Sequence, residues 1–333
     1  MELKLESHRE PAMDTNGSRY CGVWPVMLTP FDDNREIDWE SLKKLIDWYL
    51  AAGVSGLFAN CQSSEMFFLS DTESLQLTRF VLDYVDGRVP VVASGHTACG
   101  LSQQVDQLGA IAQTGVDSVI MVSNRLVQPG EDDGTLLERL ASVTAALPET
   151  VGLGVYECPY PYKRLLPDEA VAWCAKSGRY TFIKDTCCDI ATIRRRAALA
   201  QGSRLHIANA NGQTLLPSLR AGAHGYSGVM ANFHPELYVW LCEHWRREPE
   251  KAEILAAYLS TASLAEYLDY PVCAKDYQQS IGNFKSAAAR ARETGDYYAR
   301  HFQDSVRQMT RLGEFMKERL GLPPTPPDAR GLA

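Results

Sequence analysis

Lys184 closes the run Phe182-Ile183-Lys184 and is followed by Asp185 and Thr186. A lysine at the end of a short apolar strand is expensive to desolvate. Its pKa falls until the neutral amine is available as a nucleophile. Such an amine can condense with a ketone to an imine, which withdraws electrons from the adjacent carbon. The competing reading is a structural lysine paired with Asp185 or Glu157. Tyr156 ends the preceding strand, within reach of Lys184, where a phenol could shuttle protons among carbinolamine, imine and substrate oxygen. It could equally be a packed aromatic with a satisfied hydroxyl. Gln62-Ser63-Ser64 follows another strand and offers hydroxyls and loop amides suited to a carboxylate.

The elements that must position these groups repeat one rhythm from Cys21 to about Phe233: a short apolar run, a polar turn, an amphipathic stretch, then another run. The runs cover 22–29, 54–60, 89–95, 117–123, 151–157, 181–185, 204–210 and 225–230. Near-continuous apolar strands alternating with helices indicate a parallel sheet covered on its outer face. Small-residue joints such as Ala52-Gly53-Val54 and Lys176-Ser177-Gly178 are helix C-terminal caps. No GxGxxG follows the first strand, which argues against a dinucleotide fold. The predicted architecture is an α/β (β/α)₈ barrel over 21–234. Helices predicted at 236–247, 249–268, 271–282 and 288–320 form a C-terminal helical extension to 321. A flexible segment, 1–20, and a Pro-rich tail, 322–333, flank them.

In such a barrel the reacting groups stand at the C-terminal ends of the strands. Besides Lys184, Tyr156 and the 62–64 triplet, that rule selects Thr186, Asn211, Gln213 and Ser227 as substrate contacts. It also selects Arg125, which could grip a carboxylate on the acceptor portion or lie on the surface with Glu131 and Asp132. Cys61, Cys99, Cys158, Cys187 and Cys188 fall near the same face, with His96 among them. They lack the short repeated spacing of a zinc site, and an imine mechanism needs no metal. No metal and no cofactor beyond the covalent imine are expected.

Composition bounds the rest. The 333 residues are 45% hydrophobic and 22% charged, with net charge −8 and no block of like charge. That argues against nucleic-acid binding, which needs clustered Lys and Arg. No stretch approaches the ~20 apolar residues of a membrane span. The polar first twenty residues lack a signal-peptide core, and nine cysteines without scaffold spacing read as reduced. A cytoplasmic location is expected.

The chain resembles the dihydrodipicolinate synthase / N-acetylneuraminate lyase superfamily of pyruvate-dependent class I aldolases. The carriers are VMLTPFDDNREID (26–38), GVSGLFANCQSSEMFFLSDTE (53–73), GRVPVVASG (87–95), VYECP (155–159), FIKDT (182–186) and AGAHGYSGVMAN (221–232). The resemblance implies that Lys184 is the Schiff-base lysine, that Tyr156 moves the protons, and that Ser63 with nearby amides holds a pyruvate carboxylate. It also implies a homo-oligomer, tetramer or dimer.

Departures bear on the substrate. The family's Gly-Thr-Thr-Gly-Glu loop is here Cys61-Gln62-Ser63-Ser64-Glu65. The Pro-Tyr-Tyr-Asn motif of the synthases, whose second tyrosine completes an intersubunit relay, is replaced by Asn124-Arg125-Leu126-Val127. Pro161 stands where the synthases carry an arginine for their dicarboxylic product. Authentic dihydrodipicolinate synthase activity is therefore not expected. Lys184-Asp185-Thr186 is closer to the lyase and keto-sugar-acid aldolase branches, whereas Asn211 and Gln213 replace the acidic pair that sialic acid lyases use. The implied function is a Schiff-base lyase or aldolase joining or splitting a 2-keto acid and an aldehyde. A lysine-dependent dehydratase, hydratase or deaminase, or a 2-keto acid binding protein that has lost catalysis, remains an alternative.

Overall fold

The computed structural model describes residues 19–293 and 296–325. Eight parallel strands, β1 (Gly22–Val23), β2 (Leu57–Phe58), β3 (Val91–Ala93), β4 (Ser118–Val122), β5 (Gly152–Tyr156), β6 (Tyr180–Asp185), β7 (His206–Asn209) and β8 (Gly225–Tyr226), hydrogen-bond in the order β1-β8-β7-β6-β5-β4-β3-β2. The seam between β1 and β2 is joined by Phe58 N to Pro25 O and Met27 N to Phe58 O, both 3.0 Å. The eight-fold rhythm of the sequence thus becomes a (β/α)₈ barrel.

Seven helices wrap it: α1 (Trp39–Ala51), α2 (Asp71–Val85), α3 (Leu101–Ala112), α4 (Asp133–Ala146), α5 (Asp168–Ser177), α6 (Ile190–Ala200) and α7 (Leu215–Arg220). Four of them start at side chains that accept the orphan amides of the first turn. Asp38 caps Ser41 N, Asp132 caps Thr135 N, Asp189 caps Thr192 N, and Ser70 with Glu73 forms a reciprocal box. Gly178 ends α5 at φ 69°, a left-handed backbone that a side chain would strain.

The barrel interior is filled in layers. Trp24 lies against Phe182 (ring centroids 5.2 Å apart) and Phe182 meets Phe58 edge-on. Tyr156 stands edge-on to Phe58 at 5.9 Å. Trp24 passes so close to β2 that a Cβ on Gly56 would lie 2.3 Å from its ring, so only glycine fits there. This plug fills the barrel below the C-terminal mouth, where Lys184 and Tyr156 stand.

Beyond the barrel come α8 (Pro235–His244), α9 (Pro249–Ala262) with a 3₁₀ turn at Ser263–Tyr267, α10 (Val272–Ser280), α11 (Asp296–His301) and α12 (Gln303–Leu320). The single helix predicted over 288–320 is broken. Residues 281–293 are non-helical, because their backbone is held by groups outside themselves. The Glu65 carboxylate accepts Arg290 N and Ala291 N, each at 2.6 Å, and Lys275 Nζ donates to Ala288 O at 2.8 Å. Amphipathic periodicity carries no information about such long-range partners. Of the flanking segments expected at the ends, residues 1–18 and 326–333 lie outside the described residues. No helix among the described residues is long and apolar enough to cross a membrane.

Candidate functional site

Side chains alternate along β6, and that alternation sorts its polar residues. Phe182 and Lys184 point into the barrel, while Asp185 points outward. There Asp185 and Glu157 share one guanidinium: Arg196 Nη2 donates to Glu157 Oε1 at 2.7 Å, and Nη1 bonds Asp185 Oδ2. Glu157 also accepts Leu166 N and Thr186 N. The two carboxylates that could have neutralised Lys184 are therefore used elsewhere. Burial and the neighbouring Asp185 raise the Glu157 pKa.

Lys184 is 4% exposed and forms no ion pair with any described residue. Register pairs it directly with Tyr156, placing its Nζ 4.0 Å from the centre of the Tyr156 ring. A ring face favours the ammonium form weakly, but desolvation is the larger effect and brings the amine down to about 8. Cys61 and Cys158 flank it. Burial raises both thiols, Cys158 to about 11, so they stay neutral and apolar at pH 7. The charges acting on the amine are then Glu266 and Glu157, and Arg196 already balances Glu157.

Above Lys184 opens a cavity of about 560 Å³. It is lined by Gln62, Ser63, Tyr156, Lys184, Thr186 and Asn211 from the barrel loops, as selected from sequence. The Tyr156 hydroxyl donates to Gln62 Oε1 at 3.2 Å. Burial raises its pKa well above the ordinary phenol value, so it stays protonated until a partner takes its proton. Thr186 turns its hydroxyl to Glu157 O at 2.8 Å, and Asn211 donates to Cys188 Sγ at 3.2 Å.

Four selected residues, Gln213 among them, are not on the cavity wall. Ser64 is spent inside its loop, donating toward Met27 O and Ala59 O and receiving Cys61 N. That bracing does the work of the glycines absent from the 61–65 loop: the turn is held by a side chain, and Glu65 takes the left-handed backbone at φ 61°. Ser227 is buried behind the wall. Arg125 faces away, its guanidinium bonded to Thr97 O at 2.6 Å and Cys99 Sγ at 3.1 Å.

Other wall residues come from the C-terminal region, where the barrel rule gives no guidance: Glu266, Tyr267, Tyr270, Pro271, Ala291 and Arg292. Tyr270 donates to Ser63 Oγ at 2.8 Å and receives Asn232 Nδ2 at 3.1 Å. The Asn232 amide is oriented by Val26 O and Val229 O, both 3.0 Å from Nδ2. With Tyr270 as donor, the Ser63 hydrogen is free to point into the cavity, toward an anion. Pro271 carried a usable signal, since the residue before a proline disfavours helix and marks a bend between α9 and α10.

Glu65 and Lys275 form a fully buried ion pair, with Lys275 Nζ 4.3 Å from the Phe31 ring centre. Burial lowers Lys275 to about 8, against the pull of Glu65. The pair fastens the 61–65 loop to α10 and to residues 288–291. A grouping of His234, Glu236 and Glu314 has metal-ligand types, but Lys317 Nζ already sits on both carboxylates.

The model of the Dihydrodipicolinate synthetase family matches residues 19–268. The 4-hydroxy-tetrahydrodipicolinate synthase of Saccharophagus degradans is 26% identical over 249 residues, 74% of this chain and 84% of that one. That of Caldicellulosiruptor bescii is 28% identical over 272 residues, covering 80% and 88%. Among solved structures, the E. coli K12 prophage protein YagE, in complex with pyruvate, superposes with TM-score 0.79 at 22% identity, covering 88% and 99%. A monomeric dihydrodipicolinate synthase variant superposes with TM-score 0.78 at 21% identity, covering 92% and 98%. The barrel, its C-terminal helices and the match over three quarters of its length agree: the chain belongs to the dihydrodipicolinate synthetase family.

Proposed function

We propose that the protein is a class I lyase that forms an imine between Lys184 Nζ and the ketone of a 2-keto acid, with pyruvate as donor or product. The carrying observation is the buried, unpaired amine at the floor of the cavity, brought down to about 8. Its lone pair adds to the ketone carbon, and loss of the resulting hydroxyl as water leaves the imine. Removal of a proton from the adjacent carbon gives an enamine. The enamine carbon can attack an aldehyde; in the reverse direction that bond breaks and the aldehyde departs. Tyr156 carries protons between the carbinolamine and the reacting oxygen. Ser63 donates to the carboxylate. YagE, which shares the fold, is a pyruvate-bound relative.

Synthesis of 4-hydroxy-tetrahydrodipicolinate is not the reaction we assign. Pro161 replaces the arginine expected for a dicarboxylic product, and Arg125 is turned outward. The test is intact-protein mass spectrometry after pyruvate and sodium borohydride, with Lys184→Ala in parallel. A single reduced pyruvate adduct on wild type only is expected. The absence of any adduct with pyruvate or a longer 2-keto acid would favour a binding protein over a lyase.

A further inference from the structure

We infer that the outer half of the cavity takes a planar apolar group, so that the carbonyl compound joined to or released from the keto acid is an aryl or conjugated aldehyde rather than a sugar or a second carboxylate. The inference rests on the reading of Lys184 given above and adds the substrate class.

Two independent observations support it. Of the exposed aromatic side chains among the described residues (Phe68, Tyr160, Tyr267, Tyr297 and Phe315), the first three stand on the rim of this one cavity. Tyr267 is 73% and Tyr160 49% exposed, and Phe67 meets the Tyr160 ring edge-on at 5.3 Å. Large rings left in water around a concave site are surfaces awaiting a flat partner.

The second observation concerns hydrogen-bonding capacity. Four of the polar side chains around the mouth are already engaged within the protein. Lys163 Nζ donates to Thr186 O at 2.6 Å, and the Thr186 hydroxyl to Glu157 O. Asn211 donates to Cys188 Sγ and accepts Thr214 N at 3.0 Å, and Arg292 is paired with Asp269 at 3.3 Å. A polyhydroxyl chain entering here would have to compete with these partners for part of its hydrogen bonding, which a flat apolar group does not need. Glu266 on the same wall adds a carboxyl group that repels a second carboxylate.

The experiment traps the full chain with borohydride in four series: pyruvate, 2-oxo-4-phenylbutanoate, 2-oxoglutarate and 2-keto-3-deoxygluconate. The half-saturating concentration is read by mass spectrometry. The phenyl compound should half-saturate at a concentration roughly tenfold below pyruvate, as one stacked ring warrants, and the other two above it. In the variant carrying Tyr160→Ser and Tyr267→Ser, both exposed positions, the phenyl-to-pyruvate preference should fall by roughly the same factor. Preference for 2-oxoglutarate or the sugar acid, equal half-saturation by all four, or an undiminished preference in the double variant would overturn the substrate class while leaving the imine standing. Absence of an adduct in all four series would overturn the Lys184 reading itself, and the substrate class with it.

Discussion

Removing the Glu266 charge should accelerate imine formation near neutral pH and leave it unchanged in alkali. Glu266 is on the cavity wall, and its carboxylate favours the ammonium form of Lys184. Glu266→Gln therefore lowers the lysine pKa further and enlarges the neutral fraction. With the amine near 8, ~9% is neutral at pH 7, against ~0.03% for a lysine at its ordinary 10.5. Complete neutralisation could thus raise the pH 7 rate by at most about elevenfold, and the pH 9 rate by only about a tenth. The assay is the initial rate of borohydride-trapped adduct at limiting keto acid, from pH 6 to 9.5. In wild type the rate should climb roughly ninefold from pH 6 to 7, then flatten above 8. In Glu266→Gln the inflection should move down and the curves should meet at the alkaline end. A uniform change across the range, or a slower rate at pH 7, would refute the electrostatic argument. A wild-type rate still rising tenfold per unit at pH 9 would refute the depressed lysine.

Other substitutions test the supporting shell. Tyr270→Phe removes the donor that orients Ser63, so the half-saturating keto acid should rise ~2–10-fold with little change in the maximal trapping rate. Equal loss of both would mean that the tyrosine holds the loop's shape instead. Lys275→Met strands the Glu65 carboxylate in the core and should cost ~3–5 kcal/mol in urea unfolding, part of it recovered by adding Glu65→Gln. Full additivity of the two costs would show that they do not act as a pair. Arg196→Met leaves Glu157 and Asp185 without their cation, raising the Glu157 pKa beyond the rise it already shows. A carboxyl raised in the folded state loses stability as pH climbs above its unfolded value. The variant's deficit should therefore shrink from pH 7 to 5 in thermal melts, and a deficit constant with pH would count against the argument.

The parts of this molecule legible in the sequence are those governed by local periodicity. The barrel rule placed Lys184 at the strand end, Tyr156 beside it and the 62–64 triplet at the same mouth. The same rule could not say whether Lys184 was paired, because that depended on Arg196, a residue of α6 that reaches Glu157 and Asp185 from outside the barrel. Arg125 shows the converse: its position after β4 was right for a ligand contact, but a carbonyl and a thiol nearby claimed its guanidinium. Residues 281–293 escaped a helix because a partner of their backbone, Glu65, is remote in the chain. Tyr270 and Glu266 were hidden for the same reason.

The Glu65–Lys275 clamp has a consequence for protein engineering. The match to the family pattern ends at residue 268, yet Tyr270, Pro271, Ala291 and Arg292 wall the cavity and Lys275 anchors its loop. A chimera that transplants the barrel of this protein onto the tail of a relative would therefore inherit Lys184 without the residues that complete its cavity wall. The exchangeable unit is the 61–65 loop together with residues 266–292, moved as one block.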